Sequence, residues 1–209
     1  MLACSLPALE ANVSALVSAG FPREHLGALL KRHPNLVTAS RELVAGIMKL
    51  VEDVTGLALT SFAGIQFILK ANRHLFTNSL ATHQDGLAYL DGLGVTQSGK
   101  TKAFKEGVTY LSVTVLHERS NYLTSRFGWS QEALQSKISS KPGIVGITSS
   151  RLQANLQTLQ SLGFSEEVVA QMASQRPSLM NANWTTQLRR DKWHFIANLM
   201  HVDHSTIAD

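Results

Sequence analysis

Leu152-Gln153-Ala154-Asn155-Leu156-Gln157-Thr158-Leu159-Gln160-Ser161-Leu162-Gly163-Phe164-Ser165-Glu166-Glu167 decides the fold of this chain. Leu152, Leu156, Leu159 and Leu162 are spaced 4, 3 and 3 apart, which makes one apolar stripe on a helix. Gly163 then supplies the left-handed conformation that closes a helix C-terminus. Ser165 is a good N-cap for a second helix, and Glu166 and Glu167 put negative charge in its first turn. Val168, Val169, Met172 and Ala173 form the apolar face of that helix, and Arg176-Pro177 stops it. Pro177 to Met180 suits a short turn of 3-10 helix with Leu179 and Met180 tucked inward.

The same grammar recurs. A glycine followed by a bulky apolar residue stands at Gly20-Phe21, Gly56-Leu57, Gly94-Val95, Gly128-Trp129 and Gly163-Phe164, at intervals of 36, 38, 34 and 35 residues. Fourteen residues after the glycine, three copies carry a proline: Pro34, Pro142 and Pro177. In the other two, Arg73-His74-Leu75-Phe76 and Thr109-Tyr110-Leu111-Ser112 occupy that slot. Self-similarity at this period means stacked supersecondary units, each burying its apolar face on its neighbours. The expected unit is a long helix, a tight turn, a second helix and a proline-initiated short helix. Leu111 to Leu116 comes nearest to a strand, and its place in the repeat argues for helix. The expectation is one all-α array over 1–209, with units at about 1–38, 39–77, 78–115, 116–148 and 149–183 and a partial one at 184–209.

The totals are permissive. No apolar run approaches the roughly 18–20 residues needed to span a bilayer, so no membrane partner is expected. The single cysteine, Cys4, excludes an intrachain disulfide and a CxxC zinc site. A net charge of +4, from 19 basic and 15 acidic residues, is compatible with a polyanionic partner. Met1 to Pro7 lacks the Arg- and Ser-rich character of a transit peptide, which leaves two readings: no such targeting, or a start further upstream. His201-Val202-Asp203 aligns with Gly163-Phe164-Ser165, so the last unit is expected to be cut short and the chain to be part of a longer one.

Leu162-Gly163-Phe164-Ser165-Glu166-Glu167 with Pro177-Ser178-Leu179-Met180 resembles the repeat of the mitochondrial transcription termination factor (mTERF) family. Ala19-Gly20-Phe21-Pro22-Arg23-Glu24 with Pro34-Asn35-Leu36-Val37, and Phe127-Gly128-Trp129-Ser130-Gln131-Glu132 with Pro142-Gly143-Ile144-Val145, resemble it too. The resemblance implies an α-solenoid of mTERF-type repeats, curved, in mitochondria or chloroplasts. It implies a partner of double-stranded DNA or organelle RNA, a role in transcription such as termination, and no enzymatic activity, cofactor or small-molecule substrate. RNA splicing or ribosome assembly, or a protein-binding scaffold on the same solenoid, are its alternatives.

Binding of a phosphate backbone needs cations repeated in register. One series recurs just before the proline landmark: Lys31 and Arg32, Lys70 and Arg73, Lys105, Lys137 and Lys141, and Arg176. A second recurs near the start of the following long helix: Arg41, Arg119, Arg151, Arg189 and Arg190. Cations in a last helical turn also complement the helix dipole, so the first series has two readings. The second sits where cations are not locally favoured, which points more directly to a partner. Trp129 and Phe164 are expected in the core, while Trp184 and Trp193 could pack between helices or stack on bases.

Two patterns compete with this reading. Gly94-Val95-Thr96-Gln97-Ser98-Gly99-Lys100-Thr101 satisfies the phosphate-binding pattern G-x-x-x-x-G-K-[ST]. Yet Asp85 to Asp91 before it is poor in β-branched residues, and Gly94-Val95-Thr96 is already the repeat landmark, so no nucleotide site is expected. His194, His201 and His204 cluster without HExxH or a carboxylate to support them, and are expected to be solvated rather than to hold a metal.

Overall fold

The computed structural model describes residues 6–176 together with Met180, Thr186 and Asp191. Among these residues it contains helices and turns and no strand. The backbone divides into two compact units, Met1–Leu116 and His117–Asp209.

Unit 1 holds α1 (Leu6–Ser18), α2 (Leu26–Arg32), α3 (Arg41–Thr55), α4 (Phe62–Lys70), α5 (Leu80–Gly92) and α6 (Gln97–Glu106). Helix α1 packs on α3 and α3 on α5, while α2 packs on α4 and α4 on α6. The long helices therefore form one row and the second helices another. Leu16, Leu29, Leu36, Ile47, Met48, Val51, Ile68 and Leu75 are fully enclosed between the rows.

Helix α7 (Val113–Phe127) covers the stretch that came nearest to a strand in sequence, and it is helical from Val113 onward. Unit 2 takes most of α7, then α8 (Gln131–Ser140), α9 (Ser149–Ser161) and α10 (Glu166–Gln175). Its core includes Leu134, Ile138, Ile144, Leu156 and Leu159, and both Trp129 and Phe164 are buried as expected.

The landmark glycines do what their spacing implies. Gly20, Gly56, Gly94, Gly128 and Gly163 all have φ between 63° and 98°, a region closed to most side chains. Thr96, Ser130 and Ser165 each accept a hydrogen bond from the third amide of the helix they open. Pro22 holds that position in the first repeat and offers no side-chain cap. There the second helix opens as a 3-10 turn, Arg23–His25, and α2 is only 7 residues long.

The short helix after the second helix is present in three repeats, at Pro34–Val37, Val108–Tyr110 and Pro142–Ile144, while the second repeat has a turn there instead. His33, Lys141 and Arg176, each before a proline, share one conformation, with φ between −141° and −125° and ψ of 69° to 72°. Without a proline, Gly107 makes the corner at φ 88°. The second repeat keeps the turn through i to i+3 bonds, Leu75 N to Asn72 O and Thr77 N to His74 O, at 3.0 Å each. Pro177 to Leu179 lie outside the described residues.

Several of the long helices are tied to the short turn of their own repeat. The Asn12 amide donates to Leu36 O and Ala39 O, both at 2.7 Å. The Asn155 amide, at the same place eight residues before the repeat glycine, donates to Met180 O at 2.9 Å. In the third repeat this place is Gly86, where a Cβ would come within 2.9 Å of the Thr109 backbone. There the turn presses directly onto the helix, and the neighbouring buried His83 takes over the polar contact with Thr109 Oγ1.

Candidate nucleic-acid interface

The first cation series ends the second helices of unit 1. Lys31 and Arg32 close α2, Lys70 closes α4 with Arg73 three residues on, and Lys105 lies in the last turn of α6. Because α2, α4 and α6 are consecutive in one row, these ends lie along a single edge of the unit. Lys31, Arg32, Lys70 and Arg73 are exposed, and Lys105 sits 6.0 Å from the Phe67 ring centroid. The edge carries cations where the negative ends of the helix dipoles gather, so Lys31, Arg32, Lys70 and Arg73 are locally favoured by the dipole as well as exposed.

These ends are held in series by hydrogen bonds from one repeat to the next. The Arg32 guanidinium donates from Nε and Nη2 to Ala71 O, at 3.2 and 2.8 Å. His33 Nε2 is 2.9 Å from Ile68 O, so that nitrogen carries a proton and donates it to the carbonyl. Burial, and more weakly the Arg32 charge, holds the His33 pKa below its ordinary value against the pull of the Ile68 and Arg73 carbonyls. One repeat on, Asn72 N donates to Lys105 O at 2.9 Å and its side-chain amide to Glu106 O at 3.1 Å. Asn72 leaves no mark in the sequence pattern, because its partners Lys105 O and Glu106 O are backbone oxygens more than 30 residues away.

In unit 2 the first series is divided between exposed and engaged cations. Lys141 and Arg176 are exposed at the C-caps of α8 and α10. Lys137 lies 5.0 Å over the Trp129 ring, and burial lowers its pKa from the ordinary value.

The second series does not behave as a set. Arg41 is the first residue of α3 and exposed, and Arg151 is the third of α9 and exposed. Arg119 differs, since it is the seventh residue of α7 rather than near its start. Its guanidinium donates to Val145 O at 3.2 Å and Gly146 O at 2.8 Å, clamping the short turn as Asn12 and Asn155 do in their repeats. Arg189 and Arg190, with Trp184, Trp193 and the histidines at 194, 201 and 204, lie outside the described residues. Among the described residues no His, Cys, Asp and Glu cluster suited to a metal occurs.

The phosphate-loop pattern is folded as repeat structure. Helix α5 precedes it, Gly94 turns at φ 73°, Thr96 caps α6, and Gln97 to Thr101 are helical. Lys100 Nζ pairs with Asp91 at 2.5 Å, and Thr101 Oγ1 donates to Val54 O at 3.0 Å. The adjacent hollow, about 140 Å³, is lined by Asp53 and Asp91 as well as Lys100, a charge balance hostile to polyphosphate. Millimolar MgATP is therefore expected to leave the melting temperature unchanged. Lys100→Ala should cost no more than about 1 kcal/mol, as for an exposed pair. A ligand-induced thermal shift abolished by that substitution would refute this.

The described residues define an all-α helical-repeat protein with a basic edge. The mTERF family model matches residues 2–209, and the chain belongs to the mTERF family. Proteins of this family are nucleic-acid-binding helical-repeat proteins, typically organellar. Among curated proteins none matches the chain. No described helix is long and apolar enough to cross a membrane.

Proposed function

We propose that this chain is an organelle protein, of mitochondrion or chloroplast, that binds double-stranded DNA through phosphate contacts and regulates transcription as a roadblock or anchor, as in termination. The observation that carries the reading is the basic edge of unit 1, where three successive repeats end their second helices with cations. Family membership supplies the class of partner. Lys31, Arg32, Lys70, Arg73, Lys141, Arg176, Arg41, Arg119, Arg151, Arg189 and Arg190 remain the candidate contacts. Backbone carbonyls already hold the guanidinium groups of Arg32 and Arg119.

Binding to duplex DNA, single strands and structured RNA should be measured across a salt series. Three phosphate contacts, by Lys31, Lys70 and Arg73 alone, give a log–log slope of about −2.7 on duplex, and further contacts steepen it. Tighter binding to structured RNA at every salt concentration would move the chain to RNA processing. A slope near zero on all three would leave a protein-binding scaffold.

A further inference from the structure

Asn72 stands between two basic helix ends and is bonded through every polar group it owns. Its backbone N–H and side-chain Nδ2 donate to Lys105 O and Glu106 O. These two carbonyls belong to the last two residues of α6. Its Oδ1 accepts from His74 N at 3.0 Å, and its carbonyl accepts from Leu75 N at 3.0 Å and from the Tyr110 hydroxyl at 3.4 Å. The fit leaves no slack, since a Cβ at Gly107 would lie 2.7 Å from Asn72 Nδ2.

On its other side the segment is held by the repeat before. Ala71 O takes the fork of Arg32, and Arg73 follows Asn72 directly in sequence. A run of bonds thus passes from the end of α2, through Ala71 and Asn72, to the end of α6. It joins the backbone of three repeats at the points where Lys31, Lys70, Arg73 and Lys105 leave it. Asn72 carries no charge, so none of its bonds adds to the cations of the edge.

We propose that Asn72 is a positioning residue for phosphate binding, fixing the spacing of the basic edge so that its cations meet successive phosphates without ordering cost. The inference rests on the nucleic-acid reading and deepens it. Binding to a rigid row of cations loses less conformational freedom than binding to a row that must be ordered at the moment of contact. The uncharged residue therefore contributes to affinity but not to the number of counterions released.

The test uses the full chain and duplex DNA over a salt series, with the active fraction of each preparation fixed by stoichiometric titration. Asn72→Ala should weaken binding about tenfold at fixed salt, with the log–log slope unchanged. Gly107→Ala, which displaces Asn72 without touching a charge, should do the same. The Lys70→Ala, Arg73→Ala double variant should instead flatten the slope by about 1.8. A merely structural role would lower the melting temperature of Asn72→Ala and leave the affinity of its active fraction at the wild-type value, which overturns the proposal. An unaltered slope in the double variant overturns it as well, because the edge would then not face phosphate. A wild-type slope near zero removes the functional reading itself, and the relay with it.

Discussion

Gly64→Ala is expected to destabilise unit 1 by about 3 kcal/mol, the upper range for a forced insertion into a packed site. A methyl group there would lie 2.3 Å from Ala58 O, 3.0 Å from its carbonyl carbon and 3.2 Å from the Leu59 Cα. All three are backbone atoms, so no rotamer change relieves the contact. The carbonyl cannot swing away, since Ser61 N and Ser61 Oγ both donate to it, at 2.9 and 2.6 Å. Ser61 in turn caps α4 by accepting from Gly64 N. Moving Ala58 would therefore disturb the cap as well as the turn. Gly27 in α2 gives the contrast, for nothing lies within 4 Å of a Cβ there, and Gly27→Ala should stabilise by about 0.5 kcal/mol. Urea melts should shift the two midpoints in opposite directions with a common slope. A Gly64→Ala midpoint equal to wild type would show that the turn yields.

Acidification is expected to remove about 3 kcal/mol of stability between pH 6.5 and pH 4 through His83 alone. The ring is fully buried, with Nδ1 3.2 Å from Thr109 Oγ1 and Nε2 3.2 Å from Leu75 O. Phe104 and Tyr110 flank it, with ring centroids 5.4 and 5.0 Å away. Burial pushes its pKa down from the ordinary 6.5 to about 4, outweighing the Leu75 carbonyl, which acts the other way. The unfolded chain takes up a proton as pH falls through 6.5, whereas the folded chain resists until about 4. The contribution is thus complete above pH 6.5 and is lost progressively down to pH 4. His33 acts in the same direction. Glu42, Glu132 and Glu167, whose pKa values are lowered from 4.5 at helix N-termini, act below 4.5 and so touch only the acid end of the window. His83→Gln keeps an amide for the two partners but does not titrate, so it should flatten the stability profile between pH 7 and pH 4. An unchanged slope in that variant would place the acid sensitivity elsewhere.

The parts of this fold that were legible in sequence are those where one residue type is needed at one place. A positive φ needs glycine, so five landmarks placed five turns correctly. A helix start needs a hydroxyl or its like, so Thr96, Ser130 and Ser165 read as caps. Ser40, Ser79 and Thr148 cap the long helices in the same way, but no landmark in the sequence marks where those helices begin. Family membership followed from the same spacing and was correct.

The candidate interface was less legible for a physical reason. A basic residue reads the same whether it faces solvent or a carbonyl, and only the fold distinguishes Lys70 from Arg32 or Arg119. Acceptors on the backbone leave no trace in composition, so the bonds of Asn12, Asn72 and Asn155 were out of reach. Their one trace in sequence is the asparagine eight residues before the glycine in the first and fifth repeats.

The pairing of four of the long helices with the turn of their own repeat bears on how such arrays can be recombined. Asn12, Gly86, Arg119 and Asn155 answer the same demand with side chains of very different size, each matched to the turn beneath it. An exchange that joins the helix of one repeat to the turn of another would set an amide against a steric wall, or a guanidinium over empty space. Chimeras should therefore be cut after the short turn, at the hydroxyl that opens the next long helix, so that lock and key travel together.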